Sequence, residues 1–341
     1  MTQRSRRAIA ALVLTGLAAL PPAKAAFAWG ATGHEYVSGV AAELLPDEIP
    51  AFVRAPSAVA EIAVLGRELD RSKGAGNPHD AERNPGHWIN LDDDGRVAGV
   101  LALEDLPTTR EAYDTKLRTR NITQYTRGYL PYAIADGWQQ LAKDFAYWRA
   151  DVVGARTAAD PADRAWFETD RLRRERLVIR DLGVWSHYVG DASQPLHVSV
   201  HYDGWGAFAN PRGYATTRVH DYFEGEFVRA NVDRNAVKQA TAPYRSCLCS
   251  IRDRARAIIL ESHAMVVPLY ELQLQGAFAG RTEAGIAFAT ARLAAGAAAT
   301  RDMIVDAWRT SADMAVGYPE IKVREIESGR HILTRDDFGR D

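Results

Sequence analysis

Apolar positions recur at intervals of three and four along most of the chain, the spacing that lines one face of an α-helix. Ala, Leu, Arg and Glu dominate the same stretches, and all four are good helix formers. The pattern predicts helices near residues 35–45, 58–70, 110–119, 135–149, 162–193, 217–230, 249–275 and 281–311. No series of alternating β-branched runs and no internal repeat accompanies it. Clusters of turn residues mark loops at 73–78, 91–95 and 202–213. The expected fold class is mainly α, a single large irregular helical domain over residues 29–312. Periodicity fades from about residue 313, which predicts a surface tail or a strap across the body at 313–341.

The first apolar run has a different character. Arg4, Arg6 and Arg7 precede it, it extends from Ala8 to Leu20, and Pro21 and Pro22 break it. A membrane-spanning helix needs roughly 20 apolar residues, so this run reads instead as the core of an export signal. Small-x-small sites follow at Ala23–Ala25 and Ala26–Ala28, which predicts a leader over residues 1–28, a mature chain starting at Trp29, and a periplasmic or secreted protein. Losing residues 1–28 removes four basic side chains and no acid, so the net charge falls from -2 to -6. Such a chain has no overall attraction to nucleic acid or anionic lipid, and a phosphate substrate must be held locally. The only cysteines are Cys247 and Cys249. Residues two apart make a strained bridge, so the reading is a pair of inert thiols.

Candidate chemistry lies in the histidines. His187 and Asp191 are four residues apart and share one helix face, Pro195 ends that helix, and His197 lies just beyond the break. His220 and Glu224 repeat the four-residue spacing. Singly, each such pair reads as an ordinary helix-surface pair, His87 as a hydrogen-bonded core residue and Asp70 as a helix-end charge. Together, His34, His87, His187, His197 and His220 with Asp70, Asp191 and Glu224 make a nitrogen and oxygen donor set with almost no sulfur. That set suits zinc ions with open positions for water.

In their order along the chain, Trp29, His34, Asp70, His87, His187, Asp191 with Pro195-Leu196-His197, and His220 with Glu224 resemble the trinuclear zinc site of the S1/P1 nuclease and zinc-dependent phospholipase C superfamily. The resemblance covers residues 29–224 and is most specific from His187 to His197. It implies the helical fold of that superfamily and three zinc ions. Asp70, His87, His187 and Asp191 would hold one. His197, His220 and Glu224 would hold a second. The Trp29 amine and carbonyl, His34 and a bridging Asp191 would hold the third. A free amine binds metal where an acylated one does not, so leader removal would complete the site.

The implied activity is hydrolysis of phosphodiesters in single-stranded nucleic acid, with 3′-nucleotidase action also within reach, by attack of a zinc-activated hydroxide on phosphorus. Asp70 and Asp191 would be the catalytic carboxylates. Trp88 is a candidate base-stacking platform and Asn90 a candidate base reader; packing beneath the site is the competing role for Trp88. Arg71, Arg83 and Arg212 are candidate phosphate binders. Two departures point elsewhere: Glu224 stands where the nucleases usually carry Asp, as in the phospholipases, and a Gly-Gly-Asn run after the Pro-Leu-His segment is replaced by residues 204–210. A phospholipase C acting on membrane lipid head groups is therefore the alternative, and a non-catalytic zinc-binding protein a third. No obligate protein partner is evident.

Overall fold

The computed structural model describes residues 29–247 and 249–339; the expected leader lies outside the described residues. The chain is mainly helical. The seven helices that organise it are α1 (Gly30–Glu43), α2 (Pro56–Leu65), α3 (Leu130–Thr157), α4 (Pro161–Ser193), α5 (Ile251–His263), α6 (Val266–Leu274) and α7 (Glu283–Ser311). Helices α3 and α4 form a long antiparallel hairpin, and α1 packs between α2, α4 and α7. Side-chain caps start α4 and α7. Asp160 caps α4 through the Ala162 N–H, with Pro161 at its first position, and Thr282 caps α7 through the Gly285 N–H.

The main core joins Ile62, Leu130, Phe145, Leu182, Val189 and Ile304 across these helices. A second cluster gathers Trp29, Phe223, Phe227, Leu269, Tyr270 and Leu293 around the chain's entry into α1. Burial of such side chains contributes roughly 1.5–3 kcal/mol each, enough to hold the helix ends that carry the polar site.

Several expectations are corrected. The helix expected over 249–275 is two, α5 and α6, separated at Ala264 and Met265. Pro268 is the reason: it has no N–H to donate, so it sits in the first turn of a new helix rather than inside one long helix. The helix expected over 217–230 contains a π-helical turn, Tyr222–Phe227. Cys247 and Cys249 are joined by a disulfide, their Cα atoms standing 5.1 Å apart, within the range a bridge spans.

Two small antiparallel ribbons were not signalled, β1 (Arg96–Val97) with β2 (Leu101–Ala102) and β3 (Ala315–Val316) with β4 (Ile321–Lys322). Beyond α7, Val316, Ile321, Val323, Ile326 and Leu333 pack on Ala146, Ala150 and Phe167 of the α3/α4 hairpin. Among the described residues, no helix is long and apolar enough to cross a membrane.

Candidate metal centre

The site forms where the C-terminal end of α4 meets the start of α1. His187 and Asp191 project from α4 one turn apart, and the Pro195–His197 turn brings His197 back beside them. Opposite stands α1, carrying His34. Gly190 permits the approach: a Cβ at that position would lie 2.9 Å from His34 Nδ1. Asp70 comes from the short helix Glu68–Arg71, His87 from the turn Asn84–His87, and Glu224 from the π turn. All eight side chains expected as ligands are buried.

Four of their atoms form a cage. His87 Nδ1 lies 3.0 Å from His187 Nε2 and 3.1 Å from Asp191 Oδ2, and His187 Nε2 lies 3.4 Å from the same oxygen. Asp70 Oδ1 stands 3.6 Å from His187 Nε2 and 3.9 Å from His87 Nδ1. Ligands about 2.0–2.1 Å from a tetrahedral zinc stand about 3.3 Å from one another, so these separations are those of one ion's donors. The second group is His197, His220 and Glu224, with Glu224 Oε2 at 2.7 Å from His220 Nε2 and 3.7 Å from His197 Nε2.

Asp191 links the first group to His34. Its Oδ2 faces His87 and His187, while its Oδ1 lies 3.5 Å from His34 Nε2. Although the donor atoms of His34, His187 and Asp191 also lie within 4.8 Å of one another, His187 is committed elsewhere. Its Nδ1 is 2.7 Å from the Gly66 carbonyl, to which it donates when the ring is neutral, leaving Nε2 for the cage. His197 is oriented likewise by the His87 carbonyl, 2.8 Å from its Nδ1.

Further donors beside His34 can come from the chain at Trp29, where Gly30 is set against the backbone of Glu224 and Gly225. The Trp29 indole donates to Ser193 Oγ at 2.9 Å, and its carbonyl accepts the Gly33 N–H. A second lone pair remains on that oxygen.

The electrostatics suit cations. Burial holds His34 and His87 well below the ordinary imidazole range, with the charge of His187 adding to the effect, and burial with the Lys73 charge lowers His187 to about 3. Neutral imidazoles are what a metal requires. Asp191 is pushed well above the carboxylate range by burial and then by the Asp70 charge. Both oxygens of Asp191, Asp70 Oδ2, both ring nitrogens of His34, His220 Nδ1 and His197 Nε2 have no hydrogen-bond partner among the described residues. Buried polar atoms left this way are costly unless something binds them, and the donor set fits metal ions. Three buried triads of this chain can therefore hold metal ions.

Of the two partners the helix-end reading of Asp70 offers, Arg71 and Lys73, the structure pairs it with Lys73, whose Nζ lies 2.6 Å from Asp70 Oδ1, both side chains being nearly inaccessible. One residue here went unread in the sequence, Gln194. Gln194 donates from Nε2 to Glu224 Oε2 at 3.1 Å, and its Oε1 accepts the Leu196 N–H. Other expected residues are more peripheral. Trp88 is half-buried, with its indole against Gly128, and Asn90 is buried, its N–H donating to the Arg127 carbonyl. Arg71 pairs with Glu68 and Arg212 with Glu271, whereas Arg83 lies near Tyr129 and Tyr188.

No family model matches the sequence, and no curated protein does. The solved structures similar to it include two clostridial α-toxins. The α-toxin of Clostridium perfringens from avian strain SWCP is 13% identical, with 84% of this chain and 67% of that chain covered and a TM-score of 0.38. The α-toxin of Clostridium absonum is 12% identical, covering 86% of this chain and 69% of that one at a TM-score of 0.42.

Proposed function

We propose that the protein is an exported zinc-dependent phosphodiesterase of the S1/P1 nuclease type, acting on single-stranded nucleic acid. The observation that carries this reading is the shared carboxylate, Asp191, with one oxygen toward His87 and His187 and the other toward His34. A carboxylate so placed could serve two ions, and the adjacent His197, His220 and Glu224 would hold a further ion, which together would supply a centre suited to phosphoryl transfer. Bound zinc would supply an acidified water and neutralise charge on the phosphoryl oxygens.

The chain's own groups do the rest. Asp70 Oδ2 is the oxygen turned from Lys73 in the ion pair and accepts the proton of the attacking water. The Lys73 ammonium, held by Asp70, adds positive charge for a non-bridging phosphate oxygen. Trp88, partly exposed, is the platform for an unpaired base, with Asn90 two residues on. The Trp29 nitrogen joins the site only as a free amine, which ties activity to removal of residues 1–28.

Glu224 favours a second reading, hydrolysis of phospholipid head groups, supported by the exposed Tyr202, Phe208 and Tyr222 on the segment that carries His220 and Glu224. Zinc-loaded mature protein assayed on single-stranded DNA, RNA and phosphatidylcholine, with His187→Ala as control, separates the readings. Nucleic acid hydrolysis lost in the variant supports the nuclease; lipid hydrolysis alone replaces it with the phospholipase. Zinc without hydrolysis makes it a binding protein. Sequencing the mature N-terminus tests the amine: a start at Ala26 removes Trp29 nitrogen from the site.

A further inference from the structure

A groove of about 1390 Å3 runs beside the metal centre and is lined by none of its expected ligands. Its floor is the N-terminal half of α3 with the facing turns of α4, and one wall is the start of α5. One end reaches the centre: Leu69 precedes Asp70, and Tyr188, which follows His187, has its ring 5.5 Å from that of His87. The volume exceeds the roughly 300–1,000 Å3 of small-molecule sites.

Its charge is opposite to that of the chain. Six cationic side chains, Arg83, Arg110, Lys143, Arg180, Arg252 and Arg256, line it against three carboxylates, although the whole chain carries a net charge of -2. Two of these cations are held by neutral partners. Arg110 donates from Nε to Gln124 Oε1 at 2.9 Å and lies 3.7 Å over the Tyr129 ring. Arg252 donates to the carbonyls of Leu106 and Pro107 and lies 6.0 Å from the centre of the Tyr132 ring. Neither forms a salt bridge among the described residues. A guanidinium fixed by carbonyls and aromatic faces is ordered yet keeps its charge for an anion.

We infer that this groove binds the nucleotides flanking the scissile bond of a single-stranded polynucleotide, Arg110 and Arg252 on its phosphates and the partly exposed Tyr188 against a base. The inference rests on the nucleic-acid reading above and adds to it a preference for polymer over short fragments. A lipid head group brings one phosphate and has no use for cations spread from the centre to α5. Stacking on tyrosine and charge on arginine are together the chemistry of strand channels.

The test uses zinc-loaded protein and nuclease-resistant phosphorothioate oligothymidylates of four and sixteen nucleotides, with binding followed by fluorescence anisotropy across a salt series. Wild type should bind the longer strand at least about tenfold more tightly, with a steeper salt dependence. The double variant Arg110→Gln, Arg252→Gln should lose most of that advantage, its log-log salt slope falling by about 1.4 for two lost phosphate contacts. Arg281→Gln, exposed and outside the groove, should change neither. Arg256→Gln, whose partner is the surface Asp253, is the second variant should the double variant melt early; its slope should fall by about 0.7. Equal affinity for the two lengths, unchanged slopes, or displacement of the long strand by phosphatidylcholine vesicles overturns the groove assignment. Absence of single-stranded DNA hydrolysis by wild type overturns the nuclease reading instead, and is scored in a separate assay.

Discussion

Gln194 and Glu224, thirty residues apart and both buried, are joined by a hydrogen bond of 3.1 Å from the amide nitrogen to the carboxylate. The same amide's oxygen accepts the Leu196 N–H, so one side chain fixes both the turn that carries His197 and the acid that stands beside it. Partners of this kind orient a ligand without touching the metal, and their loss typically costs 10–100-fold in metal affinity or activity. Gln194→Leu should therefore release part of its zinc at a chelator concentration roughly 10–100-fold lower than wild type requires. Metal content by mass spectrometry after graded dialysis is the measurement. Equal retention would mean that Glu224 holds its position without the amide.

Lys73 makes a separate prediction. Its ammonium contributes charge at Asp70 without being a metal donor, so Lys73→Met should leave zinc content near wild type. Removing one charge-stabilising donor from an active site costs about 10²–10³-fold in turnover. The loss should fall on kcat more than on KM, measured on single-stranded DNA. A change in KM alone would make Lys73 a ground-state binder.

Much of this centre was legible because its donors sit at helical spacing. His187 and Asp191 share a face of α4 as their four-residue interval requires, and His220 with Glu224 does the same. Lys73, three residues after Asp70, obeys the same rule and is one of the two partners the helix-end reading of Asp70 offers. The Gln194–Glu224 link could not, because it depends on the π turn at Tyr222–Phe227, which places one extra residue in a segment whose apolar pattern fits an ordinary helix. The broken helix at Ala264 was legible through Pro268, whereas β3 and β4 are too short to show alternation. The basic groove was invisible for another reason. Its arginines come from the turn ending at His87, the segment before residue 111, α4 and α5, and no single stretch of sequence is basic enough to show it.

Metal should also carry part of the stability. Asp70, Asp191 and Glu224 crowd a buried site in which Lys73 offsets one charge, and an ion that binds only the folded state stabilises it by about 2.7 kcal/mol at a hundred times its Kd. Chelation should lower Tm by roughly 5 °C or more in calorimetry, and zinc should restore it where magnesium does not. An unchanged Tm would mean that the cage needs no cation to hold its shape.

Trp88 decides between stacking and support. Its indole rests against Gly128, where even a Cβ would lie 2.5 Å from the ring, yet the residue is only half-buried. If the exposed part stacks on a base, Trp88→Ala weakens nucleotide binding by about 1–3 kcal/mol and leaves zinc content unchanged. Parallel loss of zinc and of nucleotide affinity would identify a packing residue.

Far from the metal centre, Asp151 on α3 gives the pH dependence of stability a definite sign. It is inaccessible, neither carboxylate oxygen has a hydrogen-bond partner among the described residues, and burial together with the Asp170 charge pushes it up to about 8. The unfolded chain releases this proton near 4, so between about pH 4 and 8 the folded state binds more protons than the unfolded one. Stability from this group is full below about 4 and falls as pH rises, by up to about 1.4 kcal/mol per pH unit within the window. Asp151→Asn cannot ionise and should remove the effect. The Tm of the variant relative to wild type should therefore rise from pH 5 to pH 8, and taking that difference cancels any pH dependence of the metal site common to both proteins. A constant difference across the range would mean that Asp151 is charged in the folded protein and has found a cation.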